Sequence, residues 1–280
     1  MRVRFWGTRG LLATPGHAYQ RYGGATVCVE LVSSEGTRLV VDLGTGCIPL
    51  GASLMADAAK GGTKKLAVLL SATRIDHIHG LPFFAPALVP GWDLSIMGPS
   101  QAGQDISAVL DGSLNPNYSP LYGVGNLTPQ LSLTTLTEGE LSWGGFRILT
   151  RELPHGQTRA LGFRIEADGG IVALVPDVEY EDGDPHPAAL DLASEADILV
   201  HDGMESVAAV VKRLGTGPKP PLDALLLARE AGAKRLFLYH HDPDLDDVRM
   251  DALLAKLAPE ARGVALDAAK AGEDVDVRAA

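Results

Sequence analysis

The sequence has little cysteine, no apolar run long enough for a membrane and no surplus of positive charge. Only Cys28 and Cys47 occur, and they form neither a CxxC pair nor a framework of bridges. They read as two reduced, partly buried thiols. No segment approaches the ~20 continuous apolar residues that a membrane-spanning helix requires. The stretch Met1-Arg2-Val3-Arg4-Phe5-Trp6 lacks the apolar core of a secretion signal, so a cytoplasmic protein is expected. Lysine and arginine number 24 against 35 aspartates and glutamates, a net charge of −11. An acidic chain without a basic cluster is a poor match for non-specific nucleic-acid binding or for anionic lipid. Asp42-Leu43-Gly44-Thr45-Gly46 is not followed by Gly-Lys-Ser/Thr, so it is no phosphate loop. It reads as a tight turn into a helix over Pro49–Ala59.

What is present is an α/β pattern in 280 residues, expected to form one domain over 1–280. Apolar or alternating runs predict strands at Val3–Gly7, Thr26–Val32, Thr37–Asp42, Leu66–Leu70, Leu94–Pro99 and Phe146–Leu153. Further strands are predicted at Leu161–Glu166, Ile171–Val175, Ile198–Asp202 and Arg235–Tyr239. Helical spacing marks Ile106–Leu110, Pro221–Ala231 with Gly232 as its stop, and Val248–Leu257. Leu81–Ala87, interrupted by prolines, reads as a short helix or packed loop. Asn115–Pro129 has no period and is expected to be a long loop, of the kind that covers a site or contacts partners. The tail from Gly263 is expected to be marginal, with one strand at most, at Val264–Leu266.

Several strand ends carry groups of one chemical kind. Asp76-His77, His155, Asp177 and His240 each follow an apolar strand. The ends of neighbouring strands converge, so distant positions can build one site. Imidazoles with carboxylates and without thiolates suit zinc, manganese or iron. His17 and His186, among Pro and Gly, read as exposed loop residues, and His79 as surface or supporting.

Ser71-Ala72-Thr73-Arg74-Ile75-Asp76-His77-Ile78-His79-Gly80 closely resembles the metallo-β-lactamase superfamily signature Ser-His-x-His-x-Asp-His-x-x-Gly, with Ala72 and Arg74 in the first two histidine positions. Phe5-Trp6-Gly7-Thr8-Arg9-Gly10, Arg21-Tyr22-Gly23-Gly24, Asp42–Gly46, Gly80–Phe84, Leu161–Ile165 and His240-His241-Asp242-Pro243 are similar to its phosphodiesterase branch, that of ribonuclease Z and the phosphodiesterase of phosphonate metabolism. The resemblance runs from Arg2 to about Leu257 and implies an α/β fold of the αβ/βα sandwich type, two mixed sheets flanked by helices. It also implies that the first metal position comprises Ala72, Arg74, His155 and Asp177, and the second Asp76, His77, Asp177 and His240.

Two of the first four ligands are thus replaced. Neither a methyl group nor a permanently protonated guanidinium binds a cation. A further family histidine, in a Gly-His-Ser/Thr segment, maps onto Gly215-Thr216-Gly217 and is absent. The resemblance therefore implies a degenerate member without dinuclear hydrolysis, using the remnant site for ligand binding, regulation or protein interaction. The alternative is a mononuclear metal-dependent phosphodiesterase using Asp76, His77, Asp177 and His240, with Asp76 the residue on which catalysis depends. One divalent metal, zinc or manganese, or none is expected. Arg74 is expected within salt-bridge distance of Asp177 or Asp76, where it would meet a small anionic or phosphate-containing ligand, or a protein partner. His241 points away from the ligand position of His240 and is grouped with Arg74 as a ligand contact. His201-Asp202 is expected to supply a structural hydrogen bond. Family members pair through the surface around the motif loops, which makes a homodimer the expected assembly.

Overall fold

The computed structural model describes residues 1–156, 158–176, 178, 180, 185–204 and 221–278. Apolar alternation along the chain resolves into two seven-stranded mixed sheets. The first holds β1 (Arg2–Gly7), β2 (Cys28–Val32), β3 (Arg38–Val41), β4 (Lys65–Leu69), β5 (Asp93–Pro99) and β6 (Gln130–Leu136). β1 to β3 pair antiparallel, whereas β3 to β6 run parallel. The second holds β7 (Gly139–Trp143), β8 (Phe146–Leu153), β9 (Ala160–Ala167), β10 (Gly170–Val175), β11 (Ile198–Asp202), β12 (Arg235–Tyr239) and β13 (Ala265–Ala268). Here β7 to β10 are antiparallel and β10 to β13 parallel, so each sheet has one meander half and one crossover half. β14 (Asp274–Asp276) returns to the first sheet and pairs antiparallel with β1.

Side chains facing inward from both sheets form the central core, among them Phe5, Val41, Leu69, Phe146, Phe163 and Val200. Phe5 sits at its middle, with ring centroids 5.5 Å from Phe237 and 5.9 Å from Tyr239. The outer face of the first sheet is covered by α1 (Cys47–Ala59), α2 (Ile75–Ile78), α3 (Ala85–Leu88) and α4 (Ile106–Ser113). Buried Leu50, Leu54, Phe84, Ile106 and Leu110 make that contact. α5 (Pro187–Ala193), α6 (Leu222–Glu230) and α7 (Asp247–Leu257) cover the second sheet through Leu192, Leu225, Met250 and Leu257. This is the helix–sheet–sheet–helix sandwich that the sequence resemblance implied. Cys28 and Cys47 are free and buried in the outer layer, as their isolation in the sequence suggested.

Four elements go beyond the sequence expectation. β6 and β7 are edge strands, whose half-exposed faces carry a weak apolar signal. α5 is only seven residues long and starts on Pro187, with His186 accepting from the Ala188 amide at 3.3 Å. The tail is not marginal. Val275 and Val277 are 5% and 3% exposed and enter the central core, a placement fixed by non-local pairing of β14 with β1.

Candidate metal and anion site

Asp42, the first residue after β3, anchors the site. Its φ is +65°, a left-handed conformation that turns the chain sharply and aims the carboxylate along the strand ends. Oδ1 accepts from the Ser71 amide at 2.8 Å, and Oδ2 accepts from Ser71 Oγ at 2.7 Å. His77 Nδ1 lies 3.1 Å from both Asp42 Oδ2 and Ser71 Oγ. The ring is thereby fixed through one nitrogen and presents Nε2 to Asp76 Oδ2, 3.6 Å away. The α2 turn is clipped to β3 by Leu43 N–H donating to His77 O at 2.7 Å and Gly80 N–H donating to Leu43 O at 2.8 Å. A side chain at Gly44 would strike the carbonyl of Asp76, so the close approach of these two turns requires glycine there.

His240 arrives from the other sheet, at the end of β12, with φ +54°. Its Nε2 is 2.8 Å from Asp76 Oδ2 and its Nδ1 3.3 Å from Asp202 Oδ1 at the end of β11. The His77 and His240 rings face one another with centroids 5.4 Å apart. Asp76 Oδ2 also accepts from the Leu11 amide at 2.9 Å. Burial, the largest single influence, pushes the Asp76 carboxyl up, but His77, His240 and Arg74 together outweigh it and hold the group ionised, below the usual carboxylate range. One donor atom from each of Asp76, His77 and His240 lies within 4.8 Å of the others, and all three residues are buried.

Arg74, the residue before α2, reaches into the same space. Nη1 donates to His155 Nε2 at 2.7 Å, which puts the proton of the neutral His155 ring on Nδ1. Nη2 lies 3.3 Å from His240 Nε2 and 3.6 Å from Asp76 Oδ2. The expected proximity of Arg74 to Asp76 is therefore present, and the side chain is only 18% exposed. Ala72 is buried in the loop that carries Arg74. Asp177 and Gly215-Thr216-Gly217 lie outside the described residues.

The structure brings Arg74, Asp76, His77, His155 and His240 together, but not His241. Its Nε2–H donates to the Ala269 carbonyl at 2.8 Å, and the ring meets Tyr22 edge-on. Complete burial pulls its pKa down to about 3, so it stays neutral and structural. The ligand contact expected of it has no geometric support, because adjacent residues at a strand end face opposite ways. His79, His17 and His186 are exposed. His201 makes the structural bond expected of it: Nδ1–H donates to Asp202 O at 2.8 Å and Nε2 accepts from Tyr180 Oη at 2.7 Å.

Sequence reading did not assign roles to Asp42 and Gly10. The signal for Asp42 was a carboxylate closing a strand beside a glycine turn. Gly10 lies beneath His240, where an added Cβ would come within 2.7 Å of Cε1 and Nδ1. We expect Gly10→Ala to tilt this ring and weaken zinc or phosphate binding about tenfold or more, with unchanged far-ultraviolet dichroism. Calorimetric titration measures it, and unaltered binding would show that the ring orientation is not set from below.

An αβ/βα sandwich with an Asp-His-His cluster at converging strand ends is the arrangement of the metallo-β-lactamase class. The family described as Beta-lactamase superfamily domain matches residues 37–241, and the chain belongs to that family. Escherichia coli K12 ribonuclease BN is 33% identical over 111 residues, 38% of this chain and 36% of its own length. The match thus spans about a third of that curated relative. Two solved structures superpose on nearly the whole chain. The metallo-β-lactamase fold protein YhfI from Bacillus subtilis has a TM-score of 0.65 at 20% identity, covering 98% of this chain and 99% of its own. A diphosphatase of the PhnP family has a TM-score of 0.64 at 15% identity, covering 98% and 97%. These likenesses establish the fold.

The superfamily generally binds divalent metals such as zinc, and the donors here fit that chemistry unequally. At the first position that the sequence resemblance implies, Ala72 and Arg74 offer no ligand atom to a cation, and the Arg74 guanidinium is bonded to His155. The second position fits one ion. Both histidines have Nδ1 against a buried carboxylate, Asp42 or Asp202, the arrangement that directs Nε2 at a metal. Arg74 Nη2 stands 3.3 and 3.6 Å from two of its donor atoms, a fixed charge that weakens the site for cations. Among the described residues no helix is long and apolar enough to cross a membrane.

Proposed function

We propose that this protein is a metallo-β-lactamase-fold member in which dinuclear hydrolysis is lost. Its remnant site binds a small anionic or phosphate-containing ligand in a regulatory or protein-interaction role. The observation that carries this reading is the Arg74 guanidinium among His155, His240 and Asp76, an organic cation where the first metal would be held. Two metals about 3.5–4 Å apart clamp both the attacking and leaving oxygens of a phosphodiester. A guanidinium offers neither an exchangeable coordination site nor a bound hydroxide, but its planar fork matches phosphate and carboxylate oxygens. The names of similar proteins, a ribonuclease and a diphosphatase, support phosphate as the ligand chemistry.

The test uses elemental analysis of zinc-saturated, desalted protein together with calorimetric titration of inorganic phosphate. At most one zinc per chain is expected, with phosphate binding that falls about tenfold or more in Arg74→Ala, the scale of a lost charge-assisted hydrogen bond. Two zinc ions per chain, or phosphate binding indifferent to Arg74, would overturn the proposal.

The carboxylate-backed histidines favour a second reading, a mononuclear phosphodiesterase. Asp76, His77 and His240, with Asp177 from outside the described residues, would hold one divalent ion, whose chemistry is to acidify a bound water. Asp42 and Asp202 would orient the two rings, and Arg74 would steady the charge on the phosphate. A zinc-dependent cleavage of bis(p-nitrophenyl) phosphate that disappears in Asp76→Ala would select this reading over the first.

A further inference from the structure

Between Arg74 and Arg147 the chain has no lysine or arginine but six carboxylates, Asp76, Asp93, Asp105, Asp111, Glu138 and Glu140. The part from Asp93 to Leu136 folds into β5, α4, a loop and β6, one flank of the first sheet. Cations from elsewhere reach two of these carboxylates: Lys65 Nζ lies 3.7 Å from Asp93 Oδ2, and Arg147 Nη2 lies 2.9 Å from Glu140 Oε1. Asp76 is buried against His77 and His240. Asp105, Asp111 and Glu138 are exposed and have no ion-pair partner among the described residues. Backbone amides fix their positions. Asp105 Oδ1 accepts from Ala108 at 2.8 Å, Asp111 Oδ1 from Val124 at 3.0 Å and Glu138 Oε1 from Glu152 at 3.1 Å.

These three charges frame an open strand edge. Glu138 follows β6 by two residues, and Asp105 precedes Ile106, whose amide donates to Thr135 Oγ1 of β6 at 3.1 Å. α4, which separates Asp105 from Asp111 near its far end, packs on β6 and β5. β6 itself, Gln130-Leu131-Ser132-Leu133-Thr134-Thr135-Leu136, has no charged residue and no proline, and it pairs with β5 on one side only. Among the described residues no hydrogen bond reaches the Leu131–Leu136 main chain from its other side. The other edges, β7, β13 and β14, are shorter and carry carboxylates within the strand, the usual protection against an added strand. The loop after α4 adds Tyr118 and Tyr122, 72% and 76% exposed, with Tyr118 Oη donating to Gly112 O of α4 at 2.7 Å.

We propose that the edge of β6 receives, as an added strand, an extended segment of a partner protein that bears lysine or arginine. Main-chain hydrogen bonds to the outward amides and carbonyls of β6 form the seat. The carboxylates and the tyrosine faces select the side chains, because both attract cations. A seven-residue strand is about 23 Å long, so one peptide reaches the charges at both of its ends. The occupant follows from charge. A second copy of this chain, at −11, or any acidic segment would press like charges onto Asp105, Asp111 and Glu138, and a neutral segment would leave them unpaired.

Calorimetric titration of the full chain with a synthetic peptide of about nine residues, alternating lysine and valine, tests the proposal. The same peptide with glutamate for lysine is the comparison. The lysine peptide is expected to bind at least about tenfold tighter and to protect the Leu131–Leu136 amides from hydrogen exchange. Asp105→Asn, Asp111→Asn and Glu138→Gln combined keep all three acceptor oxygens and remove the charges. This variant should bind the lysine peptide about tenfold or more weakly, with an unchanged melting temperature. Equal binding of the two peptides, or a triple variant that binds as the wild type does, would overturn the proposal. So would a bound lysine peptide that leaves the β6 amides exchanging freely. A chain that dimerises without peptide and protects those amides would assign the edge to a second copy, and would overturn it too.

Discussion

Ala72→His combined with Arg74→His should raise the zinc content of the protein by one equivalent per chain. It should also raise cleavage of bis(p-nitrophenyl) phosphate at least about 100-fold above the wild type, the scale of restoring a metal clamp. Three facts support the expectation. His155 is already in place and neutral, with Nε2 turned toward the position that Arg74 Nη1 now occupies at 2.7 Å. Ala72 is buried in the loop leading to Arg74, at the position that the sequence resemblance gives to the first motif histidine. Removing the guanidinium also removes the charge now 3.3 and 3.6 Å from His240 and Asp76 donor atoms, so the second ion binds more tightly as well. Arg74→Ala separates the two effects: it should tighten the existing site without adding another equivalent. Elemental analysis after desalting decides the matter. An unchanged zinc count in the double variant would count against the proposal that Ala72 and Arg74 are what keeps a first ion from binding.

The strand ends were the legible part of this site. Asp76, His77, His155 and His240 follow apolar runs that are strands in the structure, and topology alone brings their ends together. The placement of Arg74 beside Asp76 was likewise available from the sequence, because Ala72 left a space that a long cation two residues on could fill. What holds these groups was less accessible. The bond from His77 to Asp42 spans 35 residues and that from His240 to Asp202 spans 38, and nothing local to a histidine specifies which ring nitrogen is held. The same limit explains His241, whose residue type suits a ligand contact while its strand-end position turns it onto Ala269 O. β6, β7 and β14 were missed for a related reason: an edge strand buries little, so its alternation is shallow.

Arg9 shows how much of the site's support lies in one such long-range contact, and Arg9→Met should cost about 3–5 kcal/mol of stability. Its side chain is completely buried. Nε–H donates to Gly23 O at 2.7 Å, Nη1 donates to Asp242 O at 3.2 Å and to Leu245 O at 2.5 Å, and the guanidinium lies 4.8 Å from the Tyr19 ring centroid. Burial lowers its pKa, opposed by Tyr19, Asp247, Asp242 and Asp246, and the group remains charged. One cation therefore ties the loop after β1 to the loop that follows His240 and His241. Methionine keeps most of the volume but leaves three carbonyl groups without their donor in a dry setting, each worth about 1–3 kcal/mol. Lysine should not rescue, because a single ammonium on a flexible stem cannot serve carbonyls on two segments at the angles a guanidinium fork provides. Urea denaturation of Arg9→Met and Arg9→Lys gives the comparison. A loss below about 1 kcal/mol in either variant would show that the two loops are held by their own packing. A large loss in both, with weakened zinc binding at temperatures where the variants remain folded, would show that the same contact holds His240 over Asp76.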